Sequence, residues 1–198
     1  MTAEWRDPDD IAADLGSGDA ARIVAGLADL REFAKDGDEL ELPALDASLL
    51  APLGDAPPAD AVENLAHLLS RYRSFVPPPS RDDVILQLVE LAVRYAVSLV
   101  IYNTSIEIQS TADPAASARL AIGYLGARGL ARPAEIEAAR KLVGYLLEAK
   151  PAVRRATGEA LAAWPAGEAR RAVVTAVQPM IDPDQRAQVT PDGPPRAS

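Results

Sequence analysis

The chain of 198 residues contains no cysteine and a single histidine, His67. The first absence removes disulfides, thiolate metal sites and thiol nucleophiles. The second leaves carboxylates as the main ligands for any zinc site, an unusual donor set, so no metal or cofactor is expected. Aromatic residues are also scarce, at 5%. No segment alternates apolar and polar residues as a half-buried strand does, and the longest Val/Ile/Thr-rich run lies between residues 82 and 109. A Gly-x-x-x-x-Gly-Lys phosphate loop is missing too: the twelve glycines sit at expected helix ends or singly inside helices. The opening residues, from Met1 to Asp10, carry no apolar signal segment, which makes the cytoplasm the simplest location. Val84 to Tyr102 is the one run long enough to raise a membrane question, and Glu90 and Arg94 in its middle argue against one.

What is present is enough to build a core. With 48% apolar residues, one helical domain is expected over residues 1–181, followed by a tail, 182–198, whose four prolines and few apolar residues predict disorder. The net charge of −9 is unevenly spread. Met1 to Glu63 holds 16 acidic and 4 basic residues, or −12, whereas Asn64 to Ile181 holds 10 and 14, or +4. An acidic first third disfavours general adhesion to nucleic acid or anionic lipid.

Helix punctuation runs through the whole chain. Asp7 and Asp19 read as caps, Pro8 as a first-turn residue, and Ile23, Leu27, Leu30 and Ala34 keep a 3.6-residue period. Leu45 to Gly54 reads as a short helix, and Pro57-Pro58 opens another with Ala61, Leu65, Leu68, Leu69 and Tyr72 on its buried face. Pro77-Pro78-Pro79 forms a stiff corner, with Ser80 as the next cap. Residues 82–109 then predict one long central helix whose polar residues, Asp83, Gln87, Glu90, Arg94, Ser98, Ser105 and Gln109, share a narrow stripe. Its apolar breadth calls for cover from both halves of the chain or from a second copy. Its polar end, Asn103-Thr104-Ser105 with Glu107, is the part expected to meet a partner.

Pro114, Pro133, Pro151 and Pro165 follow at intervals of 19, 18 and 14 residues, so two helices occupy the 37 residues from Pro114 to Pro151. An offset of 36 places Arg119 on Arg155, Leu125 on Leu161 and Gly126 on Ala162. The run from Lys150 to Leu161, with its proline, arginines and small residues ahead of a leucine, is similar to the first helix of a HEAT repeat, and Asp113 to Leu125 looks like a weaker copy. The chain thus resembles the HEAT and armadillo-like families, best over residues 110–180 and loosely over 7–75. The resemblance implies an all-α, antiparallel stack of helices, an α-solenoid that binds a macromolecule on one face.

Three sets of residues invite a chemical reading. His67, off the apolar face and flanked one turn away by Glu63 and Arg71, has no nucleophile marked beside it and reads as a solvated surface histidine. Asp36-Gly37-Asp38-Glu39 with Glu41 is rich in oxygen ligands but lacks the spacing of an EF-hand loop, so it reads as a solvated connection. Arg140-Lys141, Arg154-Arg155 and Arg170-Arg171, 14 and 16 residues apart, fall on successive helices and could align as a partner-binding ridge. The function these features favour is non-enzymatic binding of another protein, as an adaptor or as a neutraliser whose acidic surface covers a basic toxin site. Phosphate or nucleic-acid binding through the ridge is the alternative, and an enzyme of unrecognised type the third.

Overall fold

A computed structural model describes residues 6–34, 45–71 and 80–193, and all of its regular structure is helical. Aspartates set several of the starts, Asp7 and Asp19 as the sequence predicts. Asp7, Asp19, Asp46 and Asp113 each accept a backbone N–H from the turn that follows, at 2.7–3.0 Å. They open α1 (Pro8–Leu15), α2 (Ala20–Phe33), a 3-10 segment (Ala47–Leu53) and, later, α6. Between them lie α3 (Ala59–Ser70), behind Pro58, and α4 (Arg81–Tyr95), whose first turn is capped by Ser80 accepting the Asp83 N–H at 3.1 Å. Then come α5 (Ser98–Ser110), α6 (Pro114–Arg128), α7 (Pro133–Glu148), α8 (Pro151–Ala163) and α9 (Glu168–Val177), the last continued by a 3-10 turn, Gln178–Met180. Proline at the first position of α6, α7 and α8 lacks only an N–H that would have had no helical partner.

The chain divides into two compact units, Met1–Leu91 and Ala92–Ser198, where sequence composition led to one domain. The division falls within α4. In the first unit α2 packs on α1 and α3, and the 3-10 segment contacts both α2 and α3. Ile23, Leu27, Leu30 and Ala34 are buried as their period requires, as are Ala61, Leu65, Leu68 and Leu69. Each large aliphatic side chain so buried contributes about 1.5–3 kcal/mol. Polar ties secure the seams: Arg31 donates to Asn64 at 2.7 Å, and the Ala47 N–H to Gln87 Oε1 at 2.9 Å. Asp14, buried, accepts from Arg6 at 2.6 Å and Arg22 at 2.7 Å, and these guanidinium contacts hold its pKa below the usual carboxylate range.

In the second unit the neighbour relations skip alternate helices. α5 packs on α7 and α7 on α9, while α6 packs on α8; α5–α6 and α7–α8 contacts join the two series. Leu125 and Leu161, equivalent under the 36-residue offset, are both fully buried.

The structure corrects two expectations. Residues 82–109 are not one helix: the chain breaks between Tyr95 and Ser98, with Ala96 at φ +52°. Neither glycine nor proline marks the break, so local propensity does not explain it. The carbonyl of Arg94, which a continuous helix would bond to the Ser98 N–H, instead accepts from Arg132 Nη2 at 3.0 Å. The polar stripe consequently loses its continuity, and Ser105 is buried. The tail also differs. Residues 182–193 form successive turns with Val189 fully buried and Gln185 donating to the Arg155 carbonyl at 3.0 Å. Their ordering entropy is offset chiefly by this burial, while Asp182, Asp184 and Asp192 pair with Arg154, Arg155 and Arg171. Tyr72, the triple-proline corner, the acidic run from Asp36 to Glu41 and residues 194–198 lie outside the described residues.

Candidate functional site

The six residues of the anticipated ridge are placed on α7, α8 and α9, and each is already engaged. Arg140 grips Glu137 through Nη2 at 2.5 Å and Nε at 2.7 Å, and Lys141 lies 3.9 Å from the same carboxylate. Arg154 sits 2.8 Å from Asp182. Arg155 lies 3.6 Å from Glu159 and 3.9 Å from Asp184, and Arg171 lies 3.1 Å from Asp192. Exposed pairs of this kind add little stability, but they cancel the local positive potential that a phosphate ridge needs. Three of the five carboxylates come from 182–193, the stretch whose composition predicted disorder.

Arg170 is not on the surface at all, at 0% exposure. Its Nη1 donates to the carbonyls of Leu161, at 2.6 Å, and Trp164, and its Nε donates to that of Thr190 at 3.0 Å. The guanidinium therefore plugs the C-terminal end of α8, where carbonyls lack helical partners and the helix dipole is negative. Burial pushes its pKa down from the ordinary arginine value.

Glu135, in the first turn of α7, is likewise buried. It occupies the third position of α7 and reaches back to the N–H groups of Arg132 at 3.0 Å and Ala131 at 3.3 Å. Arg128 and Arg132 each donate to its other oxygen at 3.0 Å. Burial alone would raise its pKa, but the N–H and guanidinium donors outweigh it and bring the value to about 2. A Pro-x-Glu at a helix start was the available signal for this role.

An open trough of about 330 Å³ lies between α6 and α8. Ile122, Gly123, Ala160, Ala163 and Trp164 line it, and Arg119 and Glu159, paired at 2.9 Å, stand at its edge. Small residues let the two helices approach. A Cβ on Gly126 would come within 3.1 Å of the Trp164 ring, whereas one on Gly123 would meet nothing within 4 Å. Gly126 thus serves packing, and Gly123 leaves the trough open. Neither glycine was singled out from sequence for such a role, because their meaning depends on which helix lies opposite.

A second surface is formed by α5. Leu99, Tyr102 and Ile106 are 47%, 49% and 43% exposed, although Thr104 and Ser105 on the same helix are buried. Thr104 satisfies its hydroxyl on the Val100 carbonyl at 2.7 Å, and Ser105 accepts from Gln109 at 3.2 Å. The outward face is therefore largely apolar, and the segment Asn103–Glu107, expected to face a partner, turns two of its polar residues inward. Tyr145 of α7, 37% exposed, meets Tyr102 edge to face at 5.9 Å.

His67 is half-buried rather than fully solvated, with Nε2 screened from water. No group of three or more potential metal ligands occurs among the described residues, and no helix among them is long and apolar enough to cross a membrane. Set against protein-family models, curated proteins and solved structures, the chain matches none.

Proposed function

We propose that this chain is a non-enzymatic HEAT-like helical scaffold that binds another protein in the trough between α6 and α8. The trough itself carries the reading: an open, mainly apolar channel floored by Gly123, Ala160 and Ala163, with the Arg119–Glu159 pair at its edge. Its chemistry suits a partner segment that inserts an apolar side chain over the small residues and offers a polar group to the edge pair. The alternation of α5, α7 and α9 with α6 and α8 supports the repeat reading, since helix pairs stacked on their neighbours leave such channels between successive repeats. The carboxylates Asp14, Glu135 and Glu137 all have lowered pKa values, which suits fixed anions better than groups poised for proton transfer.

The test fills the channel. Ala160→Arg and Gly123→Arg both project from exposed or half-exposed helix positions and leave the buried core untouched. Affinity capture from the native source, quantified by mass spectrometry, is expected to return a protein that the wild type retains and both variants lose at least tenfold. Equal recovery with wild type and filled variants would reject the trough as the binding surface.

A further inference from the structure

The outward face of α5 is a separate surface, and its role is independent of the trough. We infer that it is a self-association surface, on which two copies of the chain pair through antiparallel α5 helices.

Composition sets this face apart from the rest of the chain. Over thirteen residues, Ser98–Ser110, α5 carries one charged side chain, Glu107, in a chain where a quarter of all residues are charged. Depletion of charge around exposed aromatic and aliphatic residues marks the centre of an interface. Leu99, Tyr102, Ile106 and Tyr145 together leave on the order of 400 Å² of side chain in water, at the scale where a monomer's largest apolar patch is often functional. A twofold pairing doubles this to ~800 Å², and a rim of neighbouring atoms brings it to the ~1,000 Å² of a modest specific interface.

The spacing of the exposed residues favours a twofold. Leu99, Tyr102 and Ile106 follow at intervals of three and four, so they share one face and are nearly symmetric about Tyr102 and Asn103. An antiparallel copy then sets Leu99 against Ile106 of its mate and brings the two Tyr102 rings together at the axis. This is the isologous arrangement a twofold requires.

Charge selects the direction. Parallel pairing would set Glu107 level with its own copy, two like charges beside an apolar seam. Antiparallel pairing sets it level with the first turn of the mate's α5, near Ser98. That turn begins at Val97, which supplies no side-chain cap, and it presents the positive end of the helix dipole.

Sedimentation velocity and light scattering across micromolar to submillimolar concentration test the pairing. The wild type is expected to shift with concentration from the 20.9 kDa monomer toward twice that mass. Tyr102→Glu and Ile106→Glu are expected to remain monomeric with unchanged circular dichroism, because both side chains already face water. The natural lack of cysteine allows single-cysteine variants to report the direction. Asn103→Cys, within about one residue of the axis, is expected to cross-link to its own copy through a short bis-maleimide. Ser110→Cys is not, since antiparallel mates would stand about 22 Å apart along the axis at about 1.5 Å per residue. A wild type that stays monomeric throughout, or dimers in which both cysteine variants cross-link equally well, would overturn the inference. Because none of these residues lines the trough, loss of self-association with retained capture by the trough separates this inference from the proposed function.

Discussion

Arg170 and Glu135 show how a charged side chain becomes structural once its surroundings supply most of its hydrogen-bond partners, Arg170 Nη2 being the one buried donor of the two left without one. Arg170 binds the end of α8 through carbonyl oxygens without a carboxylate in contact. Arg170→Met would leave those carbonyls buried without a donor, and a loss on the order of 3 kcal/mol is expected in urea unfolding. Arg171→Met, one residue away and 65% exposed at its side chain, is expected to change stability by less than about 0.5 kcal/mol. For Glu135 the sign of the pH effect follows from its lowered folded-state pKa, 4.5 falling to about 2. The unfolded chain takes up the proton first as pH falls. The stabilisation is therefore complete above pH 4.5 and disappears progressively toward about 2, amounting to roughly 3 kcal/mol at neutral pH. Glu135→Gln is expected to lower stability at pH 7 by about that much and to flatten the acid limb of the stability curve, measured by urea melts from pH 7 to 3. At Ala96 the left-handed φ of +52° carries strain that glycine does not feel. Ala96→Gly is accordingly expected to raise the thermal midpoint, by relief of the order of 0.5–1 kcal/mol.

Helix starts were legible because the signals are local. An aspartate that caps and a proline that follows it act within one turn, so Asp7, Asp19, Asp113, Pro133 and Pro151 mark the observed boundaries. The α4–α5 break was not legible, because the Arg132 side chain that takes up the Arg94 carbonyl comes from 38 residues away. The order of residues 182–193 is hidden in the sequence for a related reason. Composition registers their prolines and acids but not that Val189 finds a buried site, nor that the missing side chain of Gly158 makes room for Gln185. A Cβ at position 158 would collide with the Gln185 amide. Gly158→Ala is expected to displace that side chain and to speed amide hydrogen exchange at Gln185–Val189 severalfold, with exchange in α2 unchanged as the internal reference.

At the scale of the whole molecule the decisive quantity is where charge ends up after folding. A count along the chain assigns +4 to residues 64–181, and the three paired residues Asp182, Asp184 and Asp192 then return negative charge to the arginines of α8 and α9. Replacing these three aspartates together by asparagine is expected to uncover Arg154, Arg155 and Arg171. The salt concentration needed to elute the protein from a heparin column should rise, while the wild type elutes early. An unchanged elution position would show that the carboxylates do not control the potential of that face.

The sequence by itself determined that the chain is helical, where most helices begin, and which aliphatic residues of α2 and α3 are buried, because capping and the 3.6-residue period act over one or two turns. Only the tertiary structure decided which charges are spent internally, where the central stretch breaks, and that α5 turns Leu99, Tyr102 and Ile106 outward while hiding Thr104 and Ser105. Those outcomes depend on which element lies opposite each side chain. The trough beside Gly123 is of the same kind: a glycine in a helix is ambiguous until the neighbouring helix is in place.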